Sequence, residues 1–257
     1  MRKIFLIILL SQLCFLSYGQ YSKTSRRVEK RKRISTIIKQ EEEGVIEYHH
    51  QIVFGGKLTT DGYGGFFEYG KSKSIKSSLL FQLEVGERKS PKEEKQSLQN
   101  FGQPIIYGKQ NFFYPAKLGL QLQTLLGNKS NKNGVSITAN YGGGLALGLI
   151  RPYMLQVEKN NQIVYVAYNS PDSSLFLNSP VGGPSFGTGW NKLTITPGAY
   201  AKAALRFDYG AYNEVVSAVE VGLTGEFYTK KIPIIIHNPA KQFFLSAYAA
   251  IIFGKRK

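Results

Sequence analysis

The chain has little cysteine, half as many acidic as basic residues and, after its first residues, no long apolar run. Its only cysteine, Cys14, lies in an apolar segment at the N terminus. Removal of that segment therefore excludes structural disulfides and thiol catalysis. No apolar stretch of about 18 residues or more follows, so a membrane helix is excluded there too. If the remaining chain spans a membrane, it must do so as a closed barrel.

The N terminus has the pattern of a secretory signal peptide. A positive end at residues 2–3 precedes an apolar run, and residues 17–19 form a small-x-small cleavage site. Polar residues 11–12 interrupt the run, which argues against a membrane anchor. Because Leu13 rather than a small residue precedes Cys14, we also reject lipidation. We predict a signal peptide over 1–19, a charged periplasmic extension over 20–44 and an outer-membrane β-barrel over 45–257.

Basic residues dominate the charge of the chain. The sequence has 33 Lys and Arg against 17 Asp and Glu, a formal charge of +16. In an exported protein, this excess suits anionic lipid headgroups, lipopolysaccharide or an acidic partner better than nucleic acid. Within 20–44, a basic block precedes isoleucines at helical spacing and then three glutamates. This segment either docks on a partner or on headgroups, or is a solvated tail.

Strict alternation is clearest over residues 199–228, which we interpret as two antiparallel strands. One face is apolar, and the other carries Lys202 and Arg206 on one strand and Glu220 and Glu226 on the next. In a soluble sandwich, the charged face meets water and has no need of regular opposite charges. In a membrane barrel, the apolar face meets lipid and the ions must pair inside the lumen. The pattern favours the barrel.

The same alternation extends over the rest of the chain and gives eight strands. Besides the pair in 199–228, they are predicted at 46–58, 63–71, 79–88, 111–126, 135–157 and 242–253. The long connections, 89–110 and 158–197, both follow odd-numbered strands, as the external loops of outer-membrane barrels do. We therefore predict an all-β fold, an eight-stranded antiparallel up-and-down transmembrane β-barrel, with both termini in the periplasm.

The strand phases place a set of charged residues inside the predicted lumen. An eight-stranded barrel is about wide enough for side chains to fill it, so these ions must pair. The predicted ion network consists of Glu68, Glu84, Lys117, Lys202, Arg206, Glu220 and Glu226. Such a network would plug the barrel, although a narrow gated channel stays open as an alternative.

The connection 158–197 is rich in aromatic residues. Loops of this kind either order over a barrel mouth or dock on another protein. The residues that we predict to bind a partner are Tyr165, Tyr168, Phe176, Phe186 and Trp190.

The chain resembles the small eight-stranded outer-membrane barrels of the outer-membrane-protein-A-like class, in the form common in Bacteroidota. The leader ending at residues 17–20 and the last strand, 243–253, carry this resemblance. The outward aromatic near the end of that strand looks like the signal that barrel-assembly machinery recognises. Relatives have this aromatic at the terminus itself, whereas here a basic tail, 254–257, follows. The resemblance implies no catalytic residue.

The sequence offers no catalytic or metal-binding constellation. Adjacent His49 and His50 point to opposite faces of a strand, which disfavours a shared metal, and the spacing of His237 selects no triad. We expect no enzymatic activity, cofactor or metal, and no nucleic-acid partner. The expected function is an accessory or scaffold subunit of an outer-membrane complex, either barrel-assembly or secretion machinery. The alternatives are the narrow channel and an outer-membrane lipid-modifying enzyme.

Overall fold

A computed structural model describes most of the chain beyond its N-terminal segment. The described residues are 48–74, 76–96, 103–129, 134–169, 174, 176, 180–210, 214–236 and 238–257. The predicted signal peptide and periplasmic extension lie outside them. Within the described residues, no helix is both long enough and apolar enough to cross a membrane.

Eight antiparallel strands close into a barrel, which confirms the predicted fold class. Each strand pairs with the next along the chain, and the last pairs with the first. The strands are β1 (His50–Thr59), β2 (Gly62–Ser74), β3 (Ser77–Arg88), β4 (Asn111–Gly127), β5 (Ser136–Pro152), β6 (Thr194–Asp208), β7 (Val215–Ile232) and β8 (Lys241–Arg256). Short turns join the strands at the end where β8 finishes, the turn end. The long connections lie at the opposite end, the loop end.

The distribution of side chains is that of a membrane barrel. Outward positions of β1 to β8 carry exposed apolar residues, such as Phe54, Leu83 and Leu120. Inward positions carry buried polar and charged residues, such as Gln82 and Glu220. Because apolar side chains surround the barrel and the ions lie within it, the exterior suits lipid.

Two strand ends differ most from the prediction. β5 ends at Pro152 rather than near 157, and residues Met154–Lys159 form a separate strand in the loop. The amide of Tyr153 still donates to Gln110 O at 2.8 Å, and beyond this bond the chain continues into the separate strand of the loop. β6 begins at Thr194 rather than 199 and includes Pro197, opposite Leu147 of β5. The long β5 supports this pairing even though proline lacks one ladder donor.

Glycine makes room for an aromatic ring inside the barrel. A Cβ atom added at Gly119 of β4 would lie 2.6 Å from the Tyr200 hydroxyl. The glycines of the wall here therefore serve close packing of side chains.

Candidate functional site

The ion network of the lumen has two clusters, and the first is built around Arg206 of β6. Its Nη2 atom lies 2.6 Å from Glu68 Oε2 and 2.7 Å from Glu220 Oε2. Lys202 Nζ lies 2.9 Å from the other oxygen of Glu220. These side chains are almost completely buried. These buried ions have lost their hydration, and their attraction to opposite charges in the cluster offsets the free-energy cost of desolvation.

The second cluster lies around Glu84 and Glu226. Glu84 Oε1 lies 2.8 Å from both Lys57 Nζ and Lys117 Nζ. Lys117 also lies 2.6 Å from Glu226, and Arg88 approaches the same carboxylate at 2.8 Å. Lys117 thus joins the two carboxylates into one cluster.

Neutral side chains and a turn residue complete the two clusters. The hydroxyl of Tyr248 donates to Glu220 at 2.7 Å, and that of Tyr228 donates to Glu226 at 2.8 Å. Arg88 also donates to Asp61 in the turn after β1. The described cations and anions of the two clusters are equal in number: Lys57, Arg88, Lys117, Lys202 and Arg206 against Asp61, Glu68, Glu84, Glu220 and Glu226. The charge of these two clusters is therefore balanced.

The structure brings every residue of the predicted ion network to the lumen and within ion-pairing distance of a partner. Sequence reasoning left out Lys57, Arg88 and Asp61. Lys57 and Arg88 lie at inward positions of β1 and β3, so the alternation contained the signal for them. Asp61 lies in a turn, where alternation gives no signal.

An apolar plug closes the lumen between these clusters and the loop end. It consists of Phe113, Ile150, Tyr228, Ile232 and Phe244, all buried. The rings of Phe113 and Tyr228 meet edge to face with centroids 5.3 Å apart, and Phe113 and Phe244 stack at 5.6 Å. The plug comes entirely from barrel strands, so it does not depend on the loops.

A third ion group closes the turn end. Asp208 lies 2.6 Å from Arg256 and 3.7 Å from Lys129. Burial lowers the pKa of the Lys129 ammonium, while Asp208 acts in the opposite direction. Arg256 belongs to the basic tail 254–257, and its side chain is buried at the end of β8.

The loop end carries a folded cap formed mainly by the connection between β5 and β6. Its three-stranded sheet contains Pro180–Gly182, Met154–Lys159 and Gln162–Ala167. Tyr153, Leu155, Val157, Val166 and Phe176 form its core together with Ile105 of the connection between β3 and β4. Two long connections therefore share one small core.

Polar contacts order the connection between β3 and β4 and join it to the last loop. Lys109 Nζ donates to Glu93 at 2.7 Å, and Lys109 pairs through its backbone with Ile235 of the last loop. Burial lowers the pKa of the Lys109 ammonium, and the Glu93 carboxylate opposes that shift. The three long connections at the loop end are thus held together over the mouth.

The predicted partner-binding residues divide into two groups. Phe176 is 1% exposed and meets Tyr168 edge to face in the cap core, so it offers no docking surface in this structure. The aromatic content of the connection 158–197 predicts that Phe176 contacts another protein. In the structure, Phe176 packs in the core of its own loop instead. Tyr165, Phe186 and Trp190 keep exposed surface, and Phe186 is 85% exposed.

Trp190 belongs to an aromatic cluster on the outer wall. Its ring stacks on Tyr114 of β4 with centroids 5.7 Å apart. The guanidinium of Arg151 lies 4.7 Å from the Trp190 ring centre and 4.1 Å from that of Phe112. Arg151 and the Trp190 indole both donate to Phe186 O, at 2.8 and 2.9 Å. This cluster holds the exposed Phe186 in place.

In the described part of the chain, no group of three or more His, Cys, Asp or Glu side chains is placed to hold a metal. His50 lies within 3.1 Å of the Tyr69 hydroxyl on the outer wall. His237 lies outside the described residues.

Comparison with known proteins finds similarity only among solved structures. No protein-family model matches the chain, and no curated protein matches it. The N-terminal β-barrel domain of Pseudomonas aeruginosa OprF aligns with 81% of this chain and 99% of its own, at 13% identity and a TM-score of 0.36. Ail, the attachment invasion locus protein of Yersinia pestis, was solved with the heparin analogue sucrose octasulfate. It aligns with 82% of this chain and 99% of its own, at 11% identity and a TM-score of 0.39.

Proposed function

We propose that the protein is an integral outer-membrane barrel without enzymatic activity that acts as an accessory or scaffold subunit of a larger outer-membrane complex. Barrel-assembly or secretion machinery is the proposed host. The signal-peptide pattern and the apolar outer wall support the location. The short turns at one end and long loops at the other support periplasmic termini.

The filled lumen is the observation that carries this proposal. Charge-balanced clusters occupy the middle of the barrel, and the apolar plug lies above them. A lumen filled in this way favours neither ion flow nor substrate entry. What remains for function is the outer surface, where the connection between β5 and β6 exposes Tyr165 and Phe186.

Affinity purification of the tagged full chain from its own outer membrane in mild detergent tests the proposal. We expect a partner at fixed stoichiometry by quantitative mass spectrometry. A variant carrying Tyr165→Ser and Phe186→Ser should lose this partner, since both side chains are exposed on the cap. Deletion of residues 21–43 tests whether the partner binds the predicted periplasmic extension instead.

Tyr107→Ser is the matched control, because Tyr107 is an exposed aromatic in a different loop. It should retain the partner. A protein that purifies alone and monomeric would overturn the subunit proposal.

A further inference from the structure

The barrel wall is notched above the β1–β2 hairpin. Pairing between β1 and β8 ends at Thr59 opposite Tyr248, with one further bond from Thr60 N to Ala247 O. β8 begins at Lys241, so residues 241–246 rise above the hairpin with no partner on β1. On the other side of the hairpin, β3 ends at Arg88. The wall is therefore open between β8 and residues 88–91.

A cleft of about 300 Å³ occupies this notch. Arg88, Ile232 and Phe244 line its inner side. Phe243 and Leu245 line it from outward positions of β8, where they are 57% and 65% exposed. Since the same cleft touches the plug and the lipid-facing wall, it opens sideways toward the surrounding leaflet.

Two lysines give the cleft a positive charge. Lys89 and Lys241 both line it, and neither forms an ion pair with a described carboxylate. The acidic lining residue, Asp61, is already paired with Arg88. Lys89 Nζ lies 4.8 Å from the ring centre of Tyr63, an outward residue of β2, so this ammonium is on the lipid side. The cleft thus combines available cations with an apolar wall.

We propose that this cleft binds the phosphate and one acyl chain of an anionic lipid in the leaflet at the loop end, with phosphatidylglycerol as the test ligand. The phosphate meets Lys89 and Lys241, and an acyl chain lies along Phe243 and Leu245. Basic side chains attract anionic headgroups at a membrane surface, and exposed apolar residues accept acyl chains. The inference rests on the proposed membrane location but not on the proposed protein partner.

Native mass spectrometry of the purified full chain in detergent micelles tests this site. Phosphatidylglycerol, phosphatidylcholine and inorganic phosphate are titrated separately, and the dissociation constant of the first adduct is measured. We expect one phosphatidylglycerol to bind at least about tenfold more tightly than phosphatidylcholine. The variant Lys89→Gln/Lys241→Gln should weaken that adduct on the order of tenfold, because each lysine near an anionic headgroup contributes to the binding free energy.

The control variant Lys71→Gln/Lys73→Gln removes the same charge from β2 near the turn end and should leave the constant unchanged. Phe243→Ala should also weaken binding, whereas Phe54→Ala, which truncates an outward ring of similar exposure on β1, should not. Circular dichroism verifies that each variant is folded.

Equal affinities for the two lipids, or equal effects of the two lysine variants, would overturn the proposal. Inorganic phosphate that displaces the lipid at equal concentration would also overturn it, because the site would then bind a free anion. Each result is obtained on the isolated protein, so it is independent of whether a protein partner exists.

Discussion

Arg206 is the largest fully buried side chain among the described residues, and its charge is stabilised by its ion-pair partners. It bridges Glu68 and Glu220, which lie on strands β2 and β7. Removing one member of such a buried ion cluster is strongly destabilising, because the charges that remain lose their partners.

Arg206→Met should therefore lower the free energy of unfolding by about 3–5 kcal/mol. Urea unfolding of the protein refolded into phospholipid vesicles measures this. The variant Arg206→Met/Glu220→Gln should lose less than the sum of the two single variants, because removing both partners leaves fewer uncompensated charges. Lys73→Met, at an exposed position, should change stability by about 0.5 kcal/mol or less. If Lys73→Met lowered the free energy of unfolding as much as Arg206→Met, the loss could not be assigned to the buried ion cluster.

Arg151 shows why a guanidinium differs from an ammonium at the outer wall. Its flat group lies against Phe112 and Trp190 while it donates to Phe186 O. A desolvated cation–π contact of this kind contributes about 2 kcal/mol. Lysine keeps the charge but cannot stack as a plane.

Arg151→Lys should therefore increase the exposure of Trp190, the only tryptophan in the chain. We expect its emission to shift to longer wavelength and its quenching by aqueous acrylamide to increase. Lys192→Gln, an exposed change in the short 3₁₀ helix Trp190–Lys192 of the connection between β5 and β6, is the control and should alter neither. Unchanged emission in Arg151→Lys would show that the packing around the indole does not depend on the guanidinium.

Among the elements, the cap sheet is the one whose stability depends on a core of its own. Phe176 contributes to that core along with Tyr153, Leu155 and Val157. Truncating a buried phenylalanine commonly costs about 3–5 kcal/mol. Because the cap is a local unit on top of a closed barrel, the cost should appear as local opening rather than as loss of the barrel.

Phe176→Ala should consequently speed tryptic cleavage at the lysines of the connection between β5 and β6, with the barrel left intact. Gel electrophoresis of timed digests follows both products. Tyr165→Ala, which removes an exposed ring from the same sheet, should cleave at the rate of the unmodified protein. Equal acceleration by both variants would argue against a separate cap core.

For the molecule as a whole, the barrel is sealed by its own wall. The plug residues Phe113, Tyr228 and Phe244 come from β4, β7 and β8, and the charge clusters lie below them. The cap therefore lies over an opening that is already closed.

Replacing residues 154–182 by a short glycine-serine linker should leave the barrel non-conducting in planar bilayers. Single-channel recording at both voltage polarities tests this, with the unmodified protein as the reference. A steady conductance that appears only in the shortened protein would mean that the cap, rather than the plug, closes the barrel.

Much of the barrel was predictable because strand alternation is local. The inward residues Lys202 and Arg206 were identified from the spacing of their neighbours, and their acidic partners on β7 from the adjoining turn. The start of β6 was not predictable from the sequence, because proline is rare in strands. Only the pairing with β5 keeps Pro197 in the barrel wall. The cap core was also missed, since exposed and buried aromatics look alike in a loop sequence.

The sequence alone determined which face of each strand meets lipid, how many strands there are and which charges face inward, because each of these depends on near neighbours in the chain. Only the tertiary structure decided which ions meet. Arg206 pairs with Glu68, 138 residues away, and Arg88 reaches both Asp61 and Glu226. Closure of the sheet sets the position of each inward residue along the barrel axis. That position depends on the register of all the strand pairs together. The notch above the β1–β2 hairpin arises in the same way, from unequal strand lengths around one closed wall.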